Sequence, residues 1–283
     1  MVTSDLRFTQ SKSVLRTLAR NSFKAIDSGA YEINNTMERS YFSHKSISLK
    51  NNIRASPIVP LITEIKYASP SKGILADPVR FKVEEIASTM EEAGACGISI
   101  LSQPFLFNGS VLNVVKARRA TTLPILMKDI IVSNIQIKSA KNAGADCVLF
   151  IKSIFDKNLA ENDLETLVEF ASKIGLETIL ETHDMDEFQE AVKLHQSHLH
   201  DIHIIGINNR NLDTLDVNID TTINILTGTS KSGNIVISES GINQPKHIKS
   251  LMNSGADGFL IGTSLMENPE IMGKRIQELA NSR

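Results

Sequence analysis

The stretch TEIKYASPSKG, Thr63 to Gly73, follows the apolar run SPIVPLI and decides how the chain is read. The run reads as a strand about to be buried, yet it ends in Glu64 and Lys66 before breaking up into Ser, Pro and Gly. Side chains at i and i+2 of a strand point the same way, so Glu64 and Lys66 share a face with Ile62, while Thr63 and Ile65 face the other. Burying two ions for stability alone gains little, because desolvation consumes most of the Coulomb attraction. Whether the pair is structural or functional depends on whether other strands end the same way.

From residue 58 onward, short β-branched runs alternate with longer amphipathic segments, the pattern of strand-helix units around a parallel sheet. The candidate strands are eight: IVPLITEIK, CGISILS, LPILMKD, DCVLFIK, LETILET, HIIGINN, NIVISES and DGFLIGT. Helical segments are expected over 82–93, 110–119, 133–143, 160–174, 184–195, 219–227, 244–254 and 270–281. Eight such units in roughly 225 residues predict an α/β fold of the (β/α)8 TIM-barrel class, whose usual size is about 250. A doubly wound open sheet would carry a Gly-rich dinucleotide turn, and no G-x-G-x-x-G occurs. Residues 58–283 are expected to form the barrel, and residues 1–57 an N-terminal extension packing on it. That extension is read as one helix at about 11–27 followed by the polar YFSHKSISLKNN.

The chain has 283 residues and a net charge of -2, which gives no general pull toward nucleic acid or anionic membranes. There is no Trp, so base-stacking platforms are not expected. No apolar run reaches the ~20 residues of a membrane span and the N-terminus lacks a secretory core, so a cytoplasmic protein is expected. Cys96 and Cys147 sit in apolar stretches and read as reduced core residues. Nothing in the chain specifies an oligomer, and a monomer is the default expectation.

In barrels of this class, side chains at the C-terminal strand ends carry the chemistry. The first strand ends with Glu64 and Lys66, the third with Lys128 and Asp129, the fifth with Glu181, the sixth with Asn208 and Arg210, and the seventh with Glu239. On period 2, Lys128 shares a face with Leu126, Glu181 with Ile179, Asn208 and Arg210 with Gly206, and Glu239 with Ile237. A single charge at a strand end is most often a solvated rim residue. Convergence from several strand ends is different, because such groups shift one another's pKa values and supply general acids and bases. After the seventh and eighth strands come Ser240-Gly241 and Gly262-Thr263, in the two loops that in many barrels bind phosphate through backbone N–H groups. A phosphorylated small molecule is therefore the expected ligand.

Other features are weaker. The run HQSHLHDIH (His195, His198, His200, His203) lies before the sixth strand, near the stability rim, and reads as a solvated loop; no metal site is expected. His183, in ETHD, starts the loop after the fifth strand, where it either orients a ligand or, as the simpler reading, caps a helix or faces solvent. Phe107 and Asn108, in FLFNGS, sit where an aromatic walls a pocket and Asn108-Gly109 makes a turn.

Taken together, EIKYASPSKG (64–73), FNGS (107–110), ILMKD (125–129), AGAD (143–146), ILETH (179–183), GINNRNL (206–212), SESGI (238–242) and LIGTSLM (260–266) resemble the indole-3-glycerol phosphate synthase family of tryptophan biosynthesis. The resemblance implies a cofactor-free lyase. It closes the ring of 1-(2-carboxyphenylamino)-1-deoxyribulose 5-phosphate with loss of carbon dioxide and water. By position it makes Lys128 the general acid of ring closure and Glu181 the base of dehydration. Lys66 becomes a second acid or a carboxylate partner, and Glu64 and Asn208 hold the reacting hydroxyl and the lysines. It also implies that Arg210 and Glu239 support the site, that Ser240, Gly241, Gly262 and Thr263 bind phosphate, and that Ser69 and Phe107 close over the ring. Two positions depart from the family pattern: Ile130 stands where Phe usually follows MKD, and Gln103 stands where an acidic residue is common. The residues by themselves also admit a Schiff-base aldolase with Lys128 as nucleophile, or an inactive phosphosugar-binding barrel.

Overall fold

Each of the apolar runs becomes a strand, and the eight strands close into a parallel barrel in chain order. The computed structural model describes residues 13–33, 44–69, 72–197, 201–212 and 214–282. The strands are β1 (Leu61–Ile65), β2 (Gly97–Leu101), β3 (Ile125–Lys128), β4 (Cys147–Ile151), β5 (Glu177–Thr182), β6 (Ile204–Asn208), β7 (Val236–Glu239) and β8 (Gly258–Ile261). Ile62 of β1 lies opposite Gly97 on one side and Leu260 on the other, so the sheet has no free edge.

Among the described residues, two helices precede the barrel, α1 (Val14–Asp27) and α2 (Leu49–Ala55). The longer helices that follow the strands are α3 (Val83–Glu92), α4 (Val111–Ala120), α5 (Asn134–Ala143), α6 (Leu164–Lys173), α7 (Met185–Ser197), α8 (Asp220–Gly228), α9 (Pro245–Ser254) and α10 (Met272–Ala280). Period-2 alternation sorts the strand side chains into two apolar layers. Ile62, Leu126, Leu149, Ile179, Ile204 and Ile237 fill the barrel, while Leu61, Ile98, Met127, Phe150 and Phe259 pack outward against the helices. Full burial of each such side chain contributes about 1.5–3 kcal/mol before conformational entropy is deducted.

The extension reaches both ends of the barrel. Leu15 and Leu18 of α1 and Leu49 and Ile53 of α2 all join the inner layer. α1 stands by the C-terminal mouth, where Val14 and Leu18 line the central cavity. α2 covers the opposite end, with the Ser48 hydroxyl and the Lys50 N–H donating to Glu177 and Asn52 Nδ2 donating to the Cys96 carbonyl. The expected first helix is present. The second falls where only a polar segment was expected, because exposed Asn51 and Arg54 mask the buried pair Leu49 and Ile53, four residues apart.

Buried charge at the N-terminal rim is fully paired. Asp146, just before β4, accepts from Arg118 Nη1 at 2.9 Å, from the Ile125 and Ile47 N–H groups at 2.8 Å each, and from His44 Nε2 at 2.8 Å.

Candidate active site

The C-terminal strand ends surround a cavity of about 300 Å3. Glu64, Lys66, Lys128, Glu181, Asn208 and Glu239 all line it, as the alternation of the strands predicts. Ser69, Phe107, Arg210, Ser240, Gly241, Gly262 and Thr263 reach it from the loops. The geometry therefore brings every residue picked from the sequence to one mouth. Of the SPSKG loop, Pro70 and Ser71 lie outside the described residues.

Lys128 is the centre of the polar group. Its Nζ lies 2.9 Å from Glu181 Oε2 and 2.7 Å from Glu239 Oε2. Asn208 Nδ2 donates to Glu181 Oε1 at 3.0 Å, and Lys66 Nζ sits 2.6 Å from Glu64 Oε1. Two glycines make room for these carboxylates. A Cβ on Gly206 would stand 2.4 Å from Glu239 Oε1, and one on Gly262 would stand 2.5 Å from Glu64 Oε1. Any side chain at either position would displace a charged group.

Burial and neighbouring charge pull these groups apart. Burial opposes the Lys128 ammonium, but Glu181, Glu239 and Glu64 outweigh it and raise its pKa above the ordinary lysine value. Burial also opposes the Glu181 carboxylate, yet Lys128 and His183 overcome it and hold its pKa well below the usual range. For Glu239 burial dominates, reinforced by the negative charge of Glu181, and its carboxyl is pushed up to about 7. Its Oε1 has no hydrogen-bond partner among the described residues. Two carboxylates on one ammonium are thus tuned to opposite sides of the ordinary value, a pattern of sites that move protons.

Asp129, next to Lys128, has a different task. It accepts from Tyr31 Oη at 2.8 Å, the Ile130 N–H at 2.7 Å, Gln136 Nε2 at 3.3 Å and the Ser102 hydroxyl. Burial pushes its pKa up to about 6, and Tyr31 ties the extension to the end of β3. The two departures from the family pattern both lie at the cavity, where Gln103 keeps a buried Nε2 with no hydrogen-bond partner among the described residues. Gln103 Oε1 accepts from the Leu106 N–H at 3.0 Å, capping the single turn Pro104–Phe107 that presents Phe107, and Ile130 lines the cavity. Asn108 takes the left-handed conformation expected of the turn, φ +51.

His183 corrects the sequence reading. Its side chain is only 12% exposed, with Nε2 3.2 Å from Glu181 Oε1 and Nδ1 3.4 Å from Glu187 Oε2. The signal available in the sequence was the spacing of His183 and Glu187 in HDMDE, which places them one helical turn apart. Of the histidine run, His198 and His200 lie outside the described residues, and His203 Nδ1 accepts from the Thr178 N–H at 3.3 Å near the N-terminal rim. Among the described residues, no group of three His, Cys, Asp or Glu is placed to hold a metal ion. Cys96 and Cys147 are buried and unpaired with each other.

Comparison with known proteins gives one family. The indole-3-glycerol phosphate synthase profile matches residues 15–279. An indole-3-glycerol phosphate synthase of Lachnoclostridium phytofermentans is 38% identical over 232 residues, covering 80% of each chain. One from Sulfurisphaera tokodaii is 39% identical over 238 residues, covering 81% of this chain and 91% of its own. Among solved structures, a tryptophan synthase α-subunit from Pyrococcus furiosus superposes with a TM-score of 0.55 at 16% identity, over 78% of this chain and 98% of that one. An N-acetylmannosamine-6-phosphate 2-epimerase from Clostridium perfringens superposes with a TM-score of 0.57 at 14% identity, over 82% of this chain and 96% of that one. Those two likenesses concern the fold alone.

Proposed function

The chain belongs to the indole-3-glycerol phosphate synthase family, and on that premise we propose how its residues divide the reaction. The activity is a decarboxylating ring closure in tryptophan biosynthesis that turns 1-(2-carboxyphenylamino)-1-deoxyribulose 5-phosphate into indole-3-glycerol phosphate. Lys128 protonates the ketone oxygen as the aryl carbon attacks, which makes loss of carbon dioxide downhill. Glu181 then takes the proton released in dehydration, while Lys128 or Lys66 protonates the departing hydroxyl. Glu64 holds Lys66, Asn208 fixes Glu181, and Arg210 and Glu239 steady the mouth. The substrate phosphate lies against Ser240, Gly241, Gly262 and Thr263, with Ser69 and Phe107 closing over the ring.

The observation that carries this division is the placement of Lys128 Nζ between Glu181 and Glu239, 2.9 and 2.7 Å away. A lysine held as ammonium by carboxylates is a proton donor and a poor nucleophile, which speaks against the aldolase reading. Incubating the protein with the carboxyphenylamino substrate and following indole fluorescence tests the activity, and absence of turnover by folded protein overturns it. Borohydride trapping of an adduct on Lys128 would overturn its role as an acid. No helix among the described residues is long and apolar enough to cross a membrane. We take the enzyme to be a cytoplasmic monomer, with residues 1–57 as an extension of the 58–283 barrel.

A further inference from the structure

We propose that His183 is a proton relay, linking the Lys128–Glu181 pair of the active site to water in a second, separate cavity. This rests on the reading of Lys128 and Glu181 as the groups that exchange protons with substrate.

The proton balance gives a relay its task. The ketone oxygen leaves as water and must gain two protons. Dehydration returns one of them from the substrate to Glu181. The substrate carboxylate leaves as neutral carbon dioxide, so its negative charge disappears and the second proton has to come from solvent in every turnover. A path behind the cavity restores that proton while ligand still fills the mouth.

The groups of a path stand close together behind that cavity, and His183 Nε2, buried with no hydrogen bond among the described residues, is the free end that faces Glu181. Lys128 Nζ is 2.9 Å from Glu181 Oε2, Glu181 Oε1 is 3.2 Å from His183 Nε2, and His183 Nδ1 is 3.4 Å from Glu187 Oε2. His183 lines a second cavity of about 790 Å3 and does not line the first, whereas Glu181 lines the first only. The ring is therefore part of the wall between them. Its backbone is anchored, because the His183 N–H donates to Glu187 Oε2 at 2.8 Å and the Glu187 N–H donates to Asp184 Oδ1 at 2.8 Å.

The charges around the ring favour a stored proton. Glu181 faces it from β5 and Glu187 from α7, while Asp156, Lys157, Asp184 and Asp216 stand around the second cavity. Lys152, on the helical turn Lys152–Asp156, is neutralised by Asp156 and Glu190 at 2.7 and 2.6 Å. Burial works against an imidazolium here, but Glu181 and Glu187 overcome it and raise the ring to about 9. In a turnover the imidazolium gives its Nε2 proton to Glu181, which passes it to Lys128. The neutral ring then turns and recharges from buffered water in the second cavity. No bond other than N–H and O–H changes, and charge is conserved at each transfer.

The test compares His183→Asn with Glu187→Gln, which leaves the ring in place but removes its outer carboxylate. For each, the first turnover is measured by rapid quench and the steady-state rate in increasing imidazole. The relay predicts a first turnover close to native, because Lys128 starts protonated. It also predicts a steady-state rate about 10-fold below native in His183→Asn that climbs with imidazole, and a smaller, likewise rescued, loss in Glu187→Gln. A native steady-state rate in both variants, or a lowered rate indifferent to imidazole, overturns the relay. Glu181→Gln separates the two readings. If it retains native activity, the underlying assignment of Glu181 fails whatever His183 does.

Discussion

At the N-terminal rim, Asp146 accepts four donors and leaves no lone pair in need. At the C-terminal rim, Glu239 shares one ammonium with Glu181 and keeps an oxygen with no hydrogen-bond partner among the described residues. Both carboxylates are buried, and both lie at ends of the same barrel. The difference is one of completion. A finished network holds the chain together and has nothing left to offer a ligand, whereas an unfinished one costs stability and stays reactive.

Four substitutions or conditions break or sharpen that contrast. Lys128→Ala should lower kcat/KM by about 10²–10⁴-fold, and it leaves Glu181 and Glu239 buried together without their ammonium. Asp146→Ala should act on stability alone. It strands the buried Arg118 and is expected to cost about 3–5 kcal/mol in denaturant unfolding, with kcat per folded molecule near native. Glu239→Gln should reduce kcat about 10-fold, because Lys128 loses one of its two holders. Its unfolding midpoint at pH 8 should be no lower than native, because the native carboxyl, pushed up to about 7, is ionised and poorly satisfied there. A midpoint well below native would mean that the upper rim is structural after all.

The smallest effect is on pH. His183 titrates near 9 in the folded chain against an ordinary 6.5, so the folded state binds its proton more tightly. Its stabilisation is complete below about pH 6.5 and is lost as pH rises toward about 9. Melting curves of native protein and His183→Asn across that window should differ in slope, the native declining more steeply.

The barrel was legible because eight apolar runs and their intervening amphipathic segments repeat, and repetition averages out local ambiguity. The mouth was legible from period 2: Glu64, Lys66, Lys128, Glu181, Asn208 and Glu239 were each placed by the strand face they share with a core residue. Helix α2 was not, because a seven-residue helix makes only two buried contacts of its own and depends on the barrel end it covers. The surroundings of His183 were hidden for a related reason. Its partners, Glu181 and Glu187, lie on a strand and a helix, and no single periodicity runs through both. Asp129 looked like another charge at the mouth, and only its bond to Tyr31 shows it to be an anchor.

That anchor bears on how the chain assembles. Tyr31 meets Asp129 across 98 positions of sequence, Ile47 meets Asp146 across 99, and Ser48 meets Glu177 across 129. These three bonds wait until the third, fourth and fifth strands have been made. Such distant closures are slow, because the loop entropy is lost before any contact repays it. Until those strands are made, Leu15, Leu18, Leu49 and Ile53 of the extension are apolar surface that a chaperone would meet.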